Sequence, residues 1–389
     1  MQPYHLDMSR LRRHALVLTP MPKKPNILIL YTGGTVGMKQ SDDGYVPAAG
    51  HLQTLLSKTP KFKHKGVPRF KIEEFFPLLD SADMEPFHWV RIARIISESY
   101  HDFDGFVVLH GTDTMAYTAA ALSFMLENLS KPVILTGSQL PLEAVRSDAE
   151  ANLLGALMLL GEHYHHLSEV FVFFDNTLFR GNRITKSDAD AFNAFSSPNF
   201  PPIARAGVTI DIDRDLVQPP QNTGDITVVE MGNAMVAAIR LFPGIRAPYL
   251  DSIFSSNVDG VVLECFGAGN VPSRNRPLIE AIADAVKGGI VVVAVTQAMR
   301  GTADLTLYAT GRALEKIGVV SGYDMTCEAA LTKLFYLFGK GLTPGEVQQL
   351  IGTNLRGELT PREAGMFGIE HLRARLGASL TEPDDNTPR

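Results

Sequence analysis

The sequence is short of several things that would narrow its function. It has two cysteines in 389 residues, Cys265 and Cys327, both in apolar surroundings and without CxxC spacing. They therefore read as buried free thiols rather than a disulfide framework, which fits a reducing cytoplasm. Among the eleven histidines there is no HExxH or comparable ligand spacing, so no metal site is expected. Basic residues are in slight deficit, 36 against 42 acidic, and the net charge of -6 argues against nucleic acid as a partner. No apolar run approaches the roughly 18–20 residues of a membrane span. The apolar stretch Ala15-Leu16-Val17-Leu18 after Arg10, Arg12 and Arg13 is too short for a signal peptide.

What is present suits a globular protein, with 45% hydrophobic and 20% charged residues. The length favours two domains. Buried strands alternate with helical stretches, which implies α/β architecture: two α/β domains with mainly parallel sheets, the larger N-terminal and the smaller C-terminal. The expected division is an extension over 1–24, a catalytic domain over 25–212 and a linker over 213–225. A C-terminal domain over 226–375 and a polar tail over 376–389 complete it.

Chemistry collects where strands end. The run Asn26-Ile27-Leu28-Ile29-Leu30-Tyr31 leads into Thr32-Gly33-Gly34-Thr35, two hydroxyls separated by residues without side chains. Ligands in open α/β sheets sit beyond the carboxyl ends of strands, and glycine lets a ligand approach the backbone. A second strand, Gly105-Phe106-Val107-Val108-Leu109, runs into His110-Gly111-Thr112-Asp113-Thr114 at a helix start, where free N–H groups favour an anion. Asp80-Ser81-Ala82-Asp83-Met84 forms a polar loop after a strand at 70–72. Lys186 follows the polar stretch Arg180-Gly181-Asn182-Arg183-Ile184-Thr185.

Two threonines, a lysine and a carboxylate form a set that could run acyl transfer. A lysine serves as base only if it loses its proton, and an aspartate beside it favours the charged form. Asp113 therefore reads as an orienter of Lys186 or as a grip on a cationic substrate group. Each residue also has a plain structural reading: Thr112 and Thr114 as helix caps, Ser81 as a loop cap, Lys186 as a surface lysine. The Gly-Gly-Thr loop lacks the lysine of a phosphate-binding loop, so no nucleotide cofactor is expected.

Tyr-Thr-Gly-Gly-Thr at 31–35 followed by His-Gly-Thr-Asp-Thr at 110–114 resembles the paired signatures of the bacterial-type L-asparaginases. Gly44-Tyr45, Leu79 to Met84, Met115-Ala116-Tyr117-Thr118-Ala119, Gly181 to Lys186 and Asp324-Met325-Thr326 resemble the type I, cytoplasmic branch. The likeness runs from Asn26 to about Pro361. It implies hydrolysis of L-asparagine to L-aspartate and ammonia without a cofactor. It also implies Thr35 as nucleophile, Tyr45 as a flap residue closing over it, and Thr112 with Lys186 as the activating pair. Asp113 would bind the substrate α-ammonium, and Ser81 with the backbone of Asp80 and Ala82 its α-carboxylate. Asn270, in Gly267-Ala268-Gly269-Asn270, would reach a neighbouring subunit's site in a homodimer or homotetramer.

Some type I enzymes use positions corresponding to Glu264 and Ala298 for a second, regulatory asparagine. The acidic Glu264 is expected to repel a carboxylate there. The other family reading is the asparaginase-like, ammonia-releasing subunit of a tRNA-dependent amidotransferase. Such subunits carry a further module ahead of the Gly-Gly-Thr strand, where this sequence has about two dozen residues.

Overall fold

The computed structural model describes residues 24–42, 44–220 and 224–360. The expected extension, except Lys24, and the tail lie outside the described residues. Residues 24–220 build one eight-stranded sheet from β1 (Asn26–Gly33), β2 (Arg69–Leu79), β3 (Gly105–Leu109), β4 (Val133–Thr136), β5 (Val170–Phe174), β6 (Thr177–Arg180), β7 (Ala204–Ala206) and β8 (Ile210–Ile212). Their order is β8-β7-β6-β5-β4-β3-β1-β2. The run β2-β1-β3-β4-β5 is parallel, and β6, β7 and β8 are antiparallel.

The antiparallel edge is the exception to the mainly parallel sheet expected from sequence, and its first strand opens at Thr177. Asp175 and Asn176 take φ of 45° and 58°. Consecutive left-handed residues make the tight turn that joins antiparallel strands, and aspartate and asparagine tolerate it best after glycine. The polar Asp-Asn pair is therefore a hairpin turn, and the chain doubles back at once as β6.

Alternation along β1 sets the layers. Leu28 and Leu30 face one core with α1 (Pro86–Glu98) and α2 (Met115–Met125), while Ile27, Ile29 and Tyr31 face another with α3 (Ala149–His163). Almost every residue of α2 is buried, which its composition, Met-Ala-Tyr-Thr-Ala-Ala-Ala-Leu-Ser-Phe-Met, anticipates: it is apolar on all sides.

The smaller unit is a parallel sheet, β9 (Val236–Arg240), β10 (Gly260–Cys265), β11 (Val291–Thr296) and β12 (Val320–Ser321), in that order. It is followed by α4 (Cys327–Gly339) and α5 (Pro344–Ile351). Helix α4 packs against α2 of the larger unit, with Phe124 stacked on Tyr336 at 5.7 Å, and touches α1 through Trp89, edge-on to Phe335 at 6.2 Å. One apolar core thus runs through both units, including Val108, Leu135, Val293 and Leu334.

Two crossings tie the units together. The described part of the expected linker is bonded to the larger unit: the Arg180 guanidinium donates to Leu216 O at 2.6 Å, and Gln218 N to Glu169 Oε1 at 2.7 Å. Residues 227–228 pair with 126–127. After α5 the chain returns to the larger unit, where Gly357 O, Arg356 O and Glu358 O accept from Arg180, Asn182 and Arg183. The side chains of Lys333 and Glu358 are wholly buried beneath this return, 2.6 Å apart. Lys333 also donates to Ile351 O and Thr353 O, while Glu358 accepts from the N–H groups of Leu355 and Arg356. The pair is neutralised and fully hydrogen-bonded, which makes its burial tolerable. Cys265 is buried, Cys327 half-buried, and both are free thiols.

Candidate active site

Four neighbouring strands, β4-β3-β1-β2, run parallel, so their carboxyl ends lie side by side. The loops leaving them are 137–140, 110–114, 33–35 and 80–84. Glycines bring three of these loops into backbone contact. A side chain on Gly34 (φ +80°) would put its Cβ 2.5 Å from Gly111 Cα, and one on Gly111 would put it 2.5 Å from Ser81 Oγ. Gly34 N donates to Leu79 O at 3.1 Å, and the buried Tyr31 hydroxyl donates to Gly34 O at 3.2 Å. Thr35 follows directly, half-buried at the head of the short turn Thr35–Gly37.

The loop after β3 is held from below. His110 is fully buried, with Nδ1 2.7 Å from Gly111 O and Nε2 2.9 Å from Thr118 Oγ1. A carbonyl only accepts, so Nδ1 carries the proton and Nε2 receives that of Thr118. Thr118 Oγ1 accepts in turn from the Trp89 indole N–H at 3.0 Å. Burial lowers the His110 pKa to about 4, which keeps the ring neutral.

Above it, the Lys186 amine donates to Thr112 Oγ1 at 2.8 Å and to Asp113 Oδ1 at 2.6 Å, with its side chain 17% exposed. Thr112 Oγ1 donates to Gln139 Oε1 at 3.1 Å. The Gln139 amide is fixed by Ala189 O and Ala191 O, at 3.2 and 3.1 Å. As it stands the lysine is a donor to both partners. It orients Thr112 and concentrates positive charge there, and it can take a proton only after giving one up.

Of the residues named from sequence, Thr112, Asp113 and Lys186 are joined by direct bonds, and Thr35 and Ser81 reach them through the glycine contacts. Asp80 caps its own loop, accepting from Ala82 N at 2.9 Å. Ser81 is not the cap; it is buried against Gly111. The hydroxyls of Thr112 and Thr114 are not helix caps either, since Thr114 Oγ1 donates to Ser81 O at 2.7 Å and ties two site loops together. Tyr45 sits in the hairpin of strands 38–41 and 44–47, paired with Gln40, and is 48% exposed. Asn270 lies in the smaller unit, where its Oδ1 accepts from Thr310 Oγ1 at 2.5 Å. Among the described residues neither Tyr45 nor Asn270 is bonded to the Thr112 cluster. Glu264 has Arg240 3.4 Å away, so the charge there is paired and the expected repulsion of a carboxylate is weakened.

Sequence reasoning passed over Gln139 and the His110–Thr118–Trp89 chain. Gln139 had an available signal, because it follows Val133–Thr136 as Thr35 follows β1. Thr118 lies within the quoted stretch 115–119 but without a role, and Trp89 had no signal, since it lies in an apolar helical stretch.

The family description "Asparaginase, N-terminal" matches residues 26–218, and "Glutaminase/Asparaginase C-terminal domain" matches 235–351. The chain belongs to the asparaginase family. It is 47% identical to L-asparaginase 1 of Escherichia coli over 341 residues, 87% of this chain and 99% of that one. The crystal structure of L-asparaginase I from Vibrio cholerae superposes with a TM-score of 0.80 at 44% identity, covering 87% of this chain and all of the other. A mouse 60 kDa lysophospholipase is 41% identical over 364 residues, and the match takes in 63% of that protein's length. The two matched family regions coincide with the two sheets, and residues 213–218 fall within the first.

Proposed function

We propose that this protein hydrolyses the side-chain amide of L-asparagine, giving L-aspartate and ammonia. One observation carries the site assignment: the bonded group Lys186–Thr112–Asp113, packed through Gly34 and Gly111 against the loop bearing Thr35. Family membership supplies the reaction.

In this reading Thr35 Oγ1 attacks the amide carbon, ammonia leaves, and water releases aspartate from the acyl-enzyme. Thr112, oriented by Lys186 and Gln139, activates the attacking hydroxyl or the water. The exposed Asp113 carboxylate takes the substrate α-ammonium. The Ser81 hydroxyl and the backbone of Asp80 and Ala82 take the α-carboxylate. Tyr45 closes over the bound amino acid from its hairpin, and Asn270 is offered to a neighbouring subunit in a homodimer or homotetramer. No cofactor enters this reaction. The proposed domains are 25–212 and 226–375, joined through 213–225. The free thiols and the family's type I members support a cytoplasmic setting.

The test is ammonia release from L-asparagine and L-glutamine by wild type, Thr35→Ala, Thr112→Ala and Lys186→Ala. Removing a donor or a proton-transfer group from such a site costs about 10²–10⁴ in rate. Wild type should release ammonia from asparagine, with each variant slower by that order. Full activity in Thr35→Ala would remove the nucleophile assignment. No release from either amide would remove the function.

A further inference from the structure

Lys186 sits on a two-residue strand, Thr185–Lys186, paired among the described residues with Phe195–Ser196. So short a pairing cannot fix a long, flexible side chain by itself. The restraint comes from the other unit of the same chain. Just upstream, Asn182 Nδ2 donates to Arg356 O at 2.9 Å and Arg183 NH1 to Glu358 O at 2.8 Å. Beside the lysine, Thr185 Oγ1 donates to Glu328 Oε1 at 2.7 Å. Successive strand residues point to opposite faces, so Thr185 faces α4 while Lys186 faces Thr112 and Asp113.

Glu328 is buried in the first turn of α4, and that helix is capped independently by Thr326, whose side chain accepts from Ala329 N. Burial pushes the Glu328 carboxyl above the usual carboxylate range. The nearest charged partner of the lysine, Asp113, is 65% exposed, so solvent weakens its hold on the amine. We propose that Glu328, acting through the Thr185 hydroxyl, is a positioning residue that sets Lys186 against Thr112 and Asp113, so that the C-terminal unit aims the lysine of the site. This rests on the reading of Lys186 as a site residue.

The test is steady-state asparagine hydrolysis by Thr185→Val, Thr185→Ser, Glu328→Ala, Glu328→Gln and the double variant Thr185→Val/Glu328→Ala, alongside Lys186→Ala. Thermal unfolding of each shows the folded fraction at assay temperature. Displacing a site group by about 1 Å can cost up to about a hundredfold. Thr185→Val and Glu328→Ala should lower kcat about tenfold with KM changed less than about threefold. Thr185→Ser keeps the donor and Glu328→Gln keeps an acceptor oxygen, so both should stay within about twofold of wild type. The double variant should be no worse than either single, because one link is being cut twice. Losses that multiply in the double variant overturn the proposal, as do losses that follow the folded fraction in the conservative variants too. Wild-type kcat in Thr185→Val and Glu328→Ala, with Lys186→Ala inactive, overturns this inference alone. Full activity in Lys186→Ala, or an inactive wild type, overturns the functional reading as well.

Discussion

The neutral His110 ring beneath the site loop should make the protein lose stability on mild acidification. In the unfolded chain the imidazole titrates at 6.5, and in the native state at about 4. Because the native value is the lower one, the unfolded state binds the extra proton as pH falls through 6.5. The contribution is intact above that pH, is lost progressively below it, and saturates below about 4. Between pH 7 and pH 4.5 the two values give a loss of about 2–3 kcal/mol, a large part of the roughly 5–15 kcal/mol that usually separates folded from unfolded. His110→Asn isolates this share. Its amide can still donate to Gly111 O, but it does not titrate and does not reach Thr118. The variant should be less stable than wild type at pH 7 by about 1–3 kcal/mol, for the cut Thr118–Trp89 chain and the space left. Urea unfolding of both proteins at pH 7 and pH 4.5 reads the difference. Wild type should lose about 2–3 kcal/mol more than His110→Asn on that change. Equal losses would refute the assignment of a buried neutral imidazole.

Two further outcomes follow from packing. Gly111→Ala places a methyl 2.5 Å from Ser81 Oγ, so asparagine hydrolysis should fall at least about tenfold, with KM rising if Ser81 holds the substrate carboxylate; unchanged kinetics would show that the loops are free to part. Lys333→Met leaves the Glu358 carboxylate buried without its cation, and thermal or urea unfolding should show a loss of about 3–5 kcal/mol. A change below about 1 kcal/mol would mean that the return of the chain over α4 is not held by this pair.

Much of the site was legible because it obeys a local rule. Strand ends in a parallel sheet collect ligands, and the runs before Thr35 and Thr112 are unmistakably buried strands. Gln139 obeys the same rule, in the loop that follows Val133–Thr136. The hairpin at Asp175-Asn176 was not legible, because a polar pair by itself does not distinguish a tight turn from a longer loop.

By itself the sequence determined the α/β class, the strands and helices that carry the core, and the two hydroxyl-bearing turns with their glycines, because apolar periodicity and residues without side chains act over short distances. Only the tertiary structure decided which loops touch, that Thr112 is shared between Lys186 and Gln139, that His110 is neutral, and that Thr185 is tied to Glu328. Those facts depend on pairs separated by 27, 74 and 143 residues. No local pattern encodes such pairs. They form when burial of the apolar faces brings the strands into order and sets polar groups from distant parts of the chain within hydrogen-bond reach.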